Sequence, residues 1–290
     1  MRRIGQRGIE MPRRWLHVLG HGFRTFADAD AGDAAAGMAY YAFFSLSPLM
    51  LLLVAVGSLA FDSAQAQGMA LDLLRRGIPI PHGVIEKNVR RVFQLRGTMG
   101  ILGGVGLLWS ASGFFTALAY HIGRAWAGSE RQSYLKGRLV ALGMVSVLAG
   151  FLILALLAAT ILPIVRQLSA SLSGRFSAIE GPLWSLLSDV VPLLFTFLML
   201  LGLYRWVPSA LVRWPEAMVG ALVATGAMEI TTRGFSWYLR SGLARYELIY
   251  GSLGAVVALL LWIYLNTLIL LFGAHLSAAV GFCTGRTQRN

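Results

Sequence analysis

The sequence predicts an all-α fold, a polytopic integral membrane helical bundle of about six transmembrane helices with interfacial amphipathic helices beside them. Three observations predict it. Hydrophobic residues make up 57% of the 290 residues without counting 33 glycines, and charged residues only 13%, against about 45–50% and about 25% in a soluble domain. Apolar runs of about 20 residues recur along the chain, enough for a helix to cross about 30 Å of hydrocarbon. These runs are continuous, as in LVALGMVSVLAGFLILALLAATI, whereas strands of a membrane β-barrel alternate over about ten residues. The chain divides into a cytoplasmic basic, amphipathic N-terminal segment (1–33), a six-helix transmembrane domain (34–282) and a short polar tail (283–290).

The elements follow in order. Residues 15–27 put Trp15, Val18, Leu19, Gly22, Phe23 and Phe26 on one helical face, the pattern of an interfacial helix on the cytoplasmic surface. The first span is 34–61, with Asp33 in the N-cap position. The second, 97–120, is rich in small residues, including Gly100 and Gly104 four apart, which let helices approach closely. The third is 139–164 and the fourth 182–206. The fifth, 215–232, is short and carries a carboxylate. The sixth, 251–280, is long enough to tilt or to pass the interface.

Orientation rests on a small excess of Lys and Arg on the side of the N-terminus, which predicts cytoplasmic N- and C-termini. The opposing charge sits in 62–96, where Val84, Ile85, Val89, Val92 and Phe93 share a stripe apart from Lys87, Arg90 and Arg91. That pattern suits a helix lying on the membrane with its basic face toward anionic lipid head groups, and equally an ordinary solvated charged face. No short apolar core with a cleavage site follows the basic N-terminus, so a cleaved signal peptide is not expected. A single cysteine, Cys283, excludes an intrachain disulfide.

Polar residues inside the spans are the candidate functional groups. In the first span Gly37, Tyr41, Ser45 and Pro48 fall on one face, and Pro48 frees the carbonyl of Phe44, which must find a partner in a bilayer. A structural kink and a gating hinge both explain a proline there. The fifth span carries the stripe Thr225, Glu229 and Thr232. A carboxylate at membrane depth is costly and marks a pathway or a buried partner. Arg233, four residues after Glu229, offers a plain alternative, an (i, i+4) ion pair reaching for the interface. In the sixth span Asn266 and His275 stand nine residues apart, on opposite faces of a straight helix.

The segments AAAGMAYYAFFSLSPLMLLLV (34–54), LYRWVPS (203–209) and YGSLGAVVALLLWIYLNTLILLFGAHLSAAV (250–280) resemble the YihY/BrkB family of bacterial inner-membrane proteins, which once carried a ribonuclease BN label. The resemblance spans roughly 20–282 and implies a six-helix protein of the bacterial inner membrane with a role in the cell envelope, lipid movement among the proposals. One position departs from the family pattern. The closing Gly-Ala-Glu-Leu common in relatives reads Gly-Ala-His-Leu here, so a proton- or cation-handling role of that acid does not carry over to this chain as such; His275 can carry a proton near neutral pH or hydrogen-bond a neighbouring helix.

Catalysis is not expected. His17 and His21 lack a third ligand for zinc, and Asp28, Asp30 and Asp33 lack the spacing and closing glutamate of a calcium loop. Neither Walker nor Rossmann spacing occurs, and no water-facing cluster suits a nuclease. No cofactor, metal or nucleic acid is expected; the expected partners are membrane lipids, with a homo-oligomer compatible with the same features. Two functions stay open: a transporter or lipid translocator without its own nucleotide site, and a non-transporting membrane scaffold or envelope-assembly factor.

Overall fold

A computed structural model of the chain describes residues 7–60, 113–126, 143, 177–241 and 253–283, with side chains within 15–45, 113–126, 190–241 and 253–283. The expected amphipathic segment 62–96, the second span up to residue 112, the third span apart from residue 143, and the tail beyond Cys283 lie outside the described residues. All regular structure among the described residues is helical. The elements are α1 (Arg7–Asp28), α2 (Ala31–Ala60), α3 (113–124), α4 (Ser177–Trp206), α5 (Trp214–Arg240) and α6 (Gly254–Cys283).

The helix boundaries have local causes. Between α1 and α2 the chain turns at Asp30, whose φ of 50° lies in the left-handed region that Asp tolerates better than most residues. Its carbonyl accepts the Ala34 N–H at 3.1 Å, the first bond of α2. Asp30 therefore occupies the cap position expected for Asp33, which sits instead in the first turn of α2. There its charge still complements the helix dipole. Trp206 ends α4, because Pro208 disfavours helical geometry at Val207. The next helix, α5, starts with Pro215 in its first turn, where the missing N–H costs nothing. Glu216 then reaches back to accept the Arg213 N–H at 3.0 Å, half of a capping box. At its far end α5 runs eight residues past the apolar stretch that defined the fifth span, with Phe235 buried in the added turns. Hydropathy falls at Glu229 while the backbone meets no stop signal.

The sixth helix is the hub, touching α1, α2, α4 and α5. Its 30 residues rise about 45 Å, and among the described residues it is the one helix long and apolar enough to cross a membrane. A shorter apolar stretch, Val190–Trp206, lies in α4. The core joins Ala35 and Met38 of α2, Leu118 and Ile122 of α3, Leu200 and Tyr204 of α4, Ala217, Ala221 and Ala224 of α5, and Leu271 and Ala274 of α6.

The tightest packing is α5 against α6. A Cβ at Gly220 would overlap the carbonyl oxygen of Gly273 and stand 2.8 Å from Ser277 Cβ. A Cβ at Gly273 would stand 2.8 Å from that of Ala224 and 2.5 Å from the Tyr204 hydroxyl. That hydroxyl donates to the Leu270 carbonyl at 2.8 Å, which ties α4 to the same crossing. Bare backbone on both helices permits this approach, as small residues do at membrane helix interfaces generally.

The apolar face of α1 is divided, unlike the single interfacial face expected. Val18 and Gly22 are buried against Leu276 and Ala279 of α6, and the ring of Phe26 meets Phe272 edge-on at 5.7 Å. Trp15, Leu16, Leu19 and Phe23 remain exposed. The helix is docked on the bundle through one edge and leaves the other edge bare.

Gly220→Ala and Gly273→Ala are each expected to destabilise the protein by about 1–3 kcal/mol, the cost of overpacking a close contact. Gly226→Ala, where nothing among the described residues lies within 4 Å of the added carbon, is the control, expected to be unchanged or stabilised by up to about 1 kcal/mol. Thermal unfolding in detergent measures all three, and a Gly220→Ala protein as stable as the control excludes the close crossing. Tyr204→Phe removes one buried hydrogen bond and is expected to cost about 0.5–1.5 kcal/mol in the same assay.

Candidate functional site

The polar stripe of α5 forms the candidate site. Residues 225, 229 and 233 are four apart, so they lie along one face of the helix. The stripe runs outward from the bundle. Thr225 is 5% exposed, and its hydroxyl has no hydrogen-bond partner among the described residues. The Glu229 and Arg233 side chains are 39% and 75% exposed. Arg233 Nε donates to Glu229 Oε1 at 2.5 Å, so the two charges neutralise each other along the helix surface. Trp214 opens α5, which puts Glu229 about 22 Å and Arg233 about 28 Å along it, close to one hydrocarbon thickness of about 30 Å.

The other sequence candidates do not join this stripe. Tyr41 is exposed on α2, its ring against Gly113 of α3 at 3.5 Å from a Cβ built there. Ser45 spends its hydroxyl hydrogen on the Ala42 carbonyl at 2.7 Å rather than on the carbonyl freed by Pro48. Pro48 lies within α2, and its side chain is outside the described residues. Asn266 Nδ2 donates to the Trp262 carbonyl of its own helix at 2.8 Å.

His275 faces α1. Its Nδ1 is 3.3 Å from Thr25 Oγ1, and its ring meets Phe26 edge-on at 5.9 Å. The Thr25 hydroxyl has one hydrogen, which its 3.1 and 3.0 Å contacts to the His21 and Gly22 carbonyls use. Oγ1 is then left as an acceptor, and Nδ1 carries the donated proton. The histidine at the divergent motif position thus helps fasten α1 to α6.

One buried carboxylate was not singled out from the sequence. Glu216 is 5% exposed, and a Cβ built at Gly281 would stand 3.2 Å from its carboxylate. The signal was present in Arg213-Trp-Pro-Glu216, where proline in the first turn and glutamate at the third helical position spell a capping box. Its charge is spent on the Arg213 N–H at the start of α5. Among the described residues no group of three or more His, Cys, Asp or Glu side chains is arranged to hold a metal ion.

Comparison with known proteins places this bundle. A UPF0761 membrane protein of Aliivibrio salmonicida is 28% identical over 249 residues, covering 86% of this chain and 78% of its own. A UPF0761 membrane protein of Vibrio parahaemolyticus is 28% identical over 248 residues, covering 84% and 76%. One from Vibrio cholerae is 41% identical over a shorter stretch of 91 residues, 31% of this chain and 30% of the relative. No solved structure matches. The family model described as Virulence factor BrkB matches residues 23–289. With nearly the whole chain inside that match, and with relatives named as membrane proteins, the protein belongs to the BrkB/YihY family of membrane proteins.

Proposed function

We propose that this protein is a multi-pass protein of the bacterial inner membrane, with both termini in the cytoplasm, that moves a lipid or another amphipathic solute across or between leaflets. The observation that carries the reading is the α5 stripe, in which an exposed Glu229–Arg233 pair follows one turn after the buried hydroxyl of Thr225, which has no partner among the described residues. A charge pair facing acyl chains is costly, so a stripe of this kind belongs beside water, head groups or a polar substrate. The helix lengths support the same picture: α6 is long and apolar enough to cross, α4 carries an apolar stretch, and α5 is long enough to cross with its ion pair near the far interface. Any driving force comes from a gradient or a partner, since the chain has no nucleotide-binding motif. The reading assigns the protein no catalysis and no action on nucleic acid.

The second reading is a non-transporting scaffold or envelope-assembly factor. It is favoured by the partner Glu229 already has in Arg233 and by the close α4–α5–α6 junction, both of which serve a static bundle.

Reconstitution in liposomes separates the two readings. Glu229→Gln and Arg233→Gln are each expected to slow lipid movement by roughly tenfold, equivalent to about 1.4 kcal/mol in the barrier. Wild-type rates in both variants at normal protein levels would remove the pathway and leave the scaffold. Reporter fusions at both ends check the topology, with cytoplasmic signals expected; a periplasmic signal at either terminus refutes the orientation.

A further inference from the structure

A second polar feature lies away from the α5 stripe, where α4 ends and α5 begins. A cleft of about 380 Å³ is lined by Arg205, Leu211, Val212, Arg213, Trp214 and Pro215. Two of these six residues carry guanidinium groups and none carries a carboxylate, since Glu216 turns toward Gly281 and does not line the cleft.

Arg205 stands in the last turn of α4 with its guanidinium carbon 5.6 Å from the centroid of the Trp214 ring. Trp206 meets the same ring edge-on at 6.1 Å. Stacking and the C-terminal helix dipole account for the position of Arg205. An anion in the cleft balances the charge of the two guanidinium groups on its lining residues. Guanidinium groups match the oxygens of phosphate in pairs, which makes phosphate the anion this lining suits best.

The surroundings say where such a phosphate comes from. The apolar stretch Val190–Trp206 of α4 ends at the cleft, and Trp206, Leu211 and Trp214 around it are 70%, 79% and 49% exposed. Exposed tryptophan beside arginine at the end of an apolar helix is the composition of the head-group layer. We propose that the cleft binds the phosphate of an anionic phospholipid head group, held by Arg205 and Arg213 and framed by Trp206 and Trp214. The site rests on the membrane reading of α4 given above and not on transport.

Native mass spectrometry of the full chain, released from detergent micelles loaded with phosphatidylglycerol or phosphatidylcholine, tests the site. Phosphatidylglycerol is expected to be retained preferentially. Loss of each arginine is expected to lower that retention by about fivefold, the effect of roughly one basic residue near an anionic surface. Arg213→Gln alters an exposed side chain and keeps the test valid if Arg205→Gln does not fold. Unchanged retention in Arg213→Gln and in the double variant overturns the proposal. Inorganic phosphate binding in preference to phosphatidylglycerol at equal concentration also overturns it, since the ligand is then a soluble anion. A protein that holds phosphatidylglycerol through these arginines yet moves no lipid keeps the site and loses the translocator. One that moves lipid with unchanged retention in the variants loses only the site.

Discussion

Everything described in this structure depends on the backbone contact of α5 with α6 at Gly220 and Gly273. With no side chain on either helix at the crossing, the Gly273 carbonyl fits where a Cβ at Gly220 would stand. Tyr204 then reaches into the same junction from α4 and donates to Leu270. Three helices meet at one point with a hydrogen bond among them, and in a membrane protein such packing takes the place of the hydrophobic drive that lipid cannot supply. The other helices arrange themselves around α6, α1 through Val18 and Gly22 and α2 through Ala35 and Met38.

That crossing also fixes where α5 turns its polar side. The face bearing Ala217, Gly220, Ala221 and Ala224 is committed to the bundle, so Glu229 and Arg233 emerge on the outer surface of the helix. The two carboxylates of α5 consequently have opposite fates. Glu216, at the start, is buried and caps the helix, while Glu229, within the apolar run, is exposed and paired. Hydroxyl and amide groups elsewhere turn back onto their own helix at half-buried Ser45 and Asn266 and at buried Thr267. Local satisfaction of that kind stabilises a helix in a low-dielectric setting and leaves the group unavailable to a substrate. Thr225 does not follow this pattern, and neither does Ser277 of α6, whose buried hydroxyl also has no partner among the described residues; the α5 stripe differs in continuing into a charged pair.

Much of the site was legible in the chain. The Glu229 to Arg233 spacing implies the ion pair because four residues on a helix bring two long side chains together regardless of what surrounds them. The histidine in Gly-Ala-His-Leu was recognisable as a group seeking a neighbouring helix, but its partner Thr25 lies 250 residues away, and no local pattern links them. The Arg205–Arg213–Trp214 cleft was invisible for a similar reason. Its residues are ordinary interfacial types in sequence, and only the turn between α4 and α5 gathers them. The cap at Asp30 rather than Asp33 turned on a positive φ that composition does not encode.

The sequence by itself determined that this is an all-helical chain, which stretches are apolar, and which polar residues share a helical face, because those properties follow from composition and the 3.6-residue period. Tertiary structure alone decided which face of each helix is buried. It divided the stripe of α1 between α6 and open surface, committed the small residues of α5 to Gly273, and left two arginines facing one cleft. Burial depends on what lies opposite a residue, and a linear pattern holds no information about its opposite until the helices have packed.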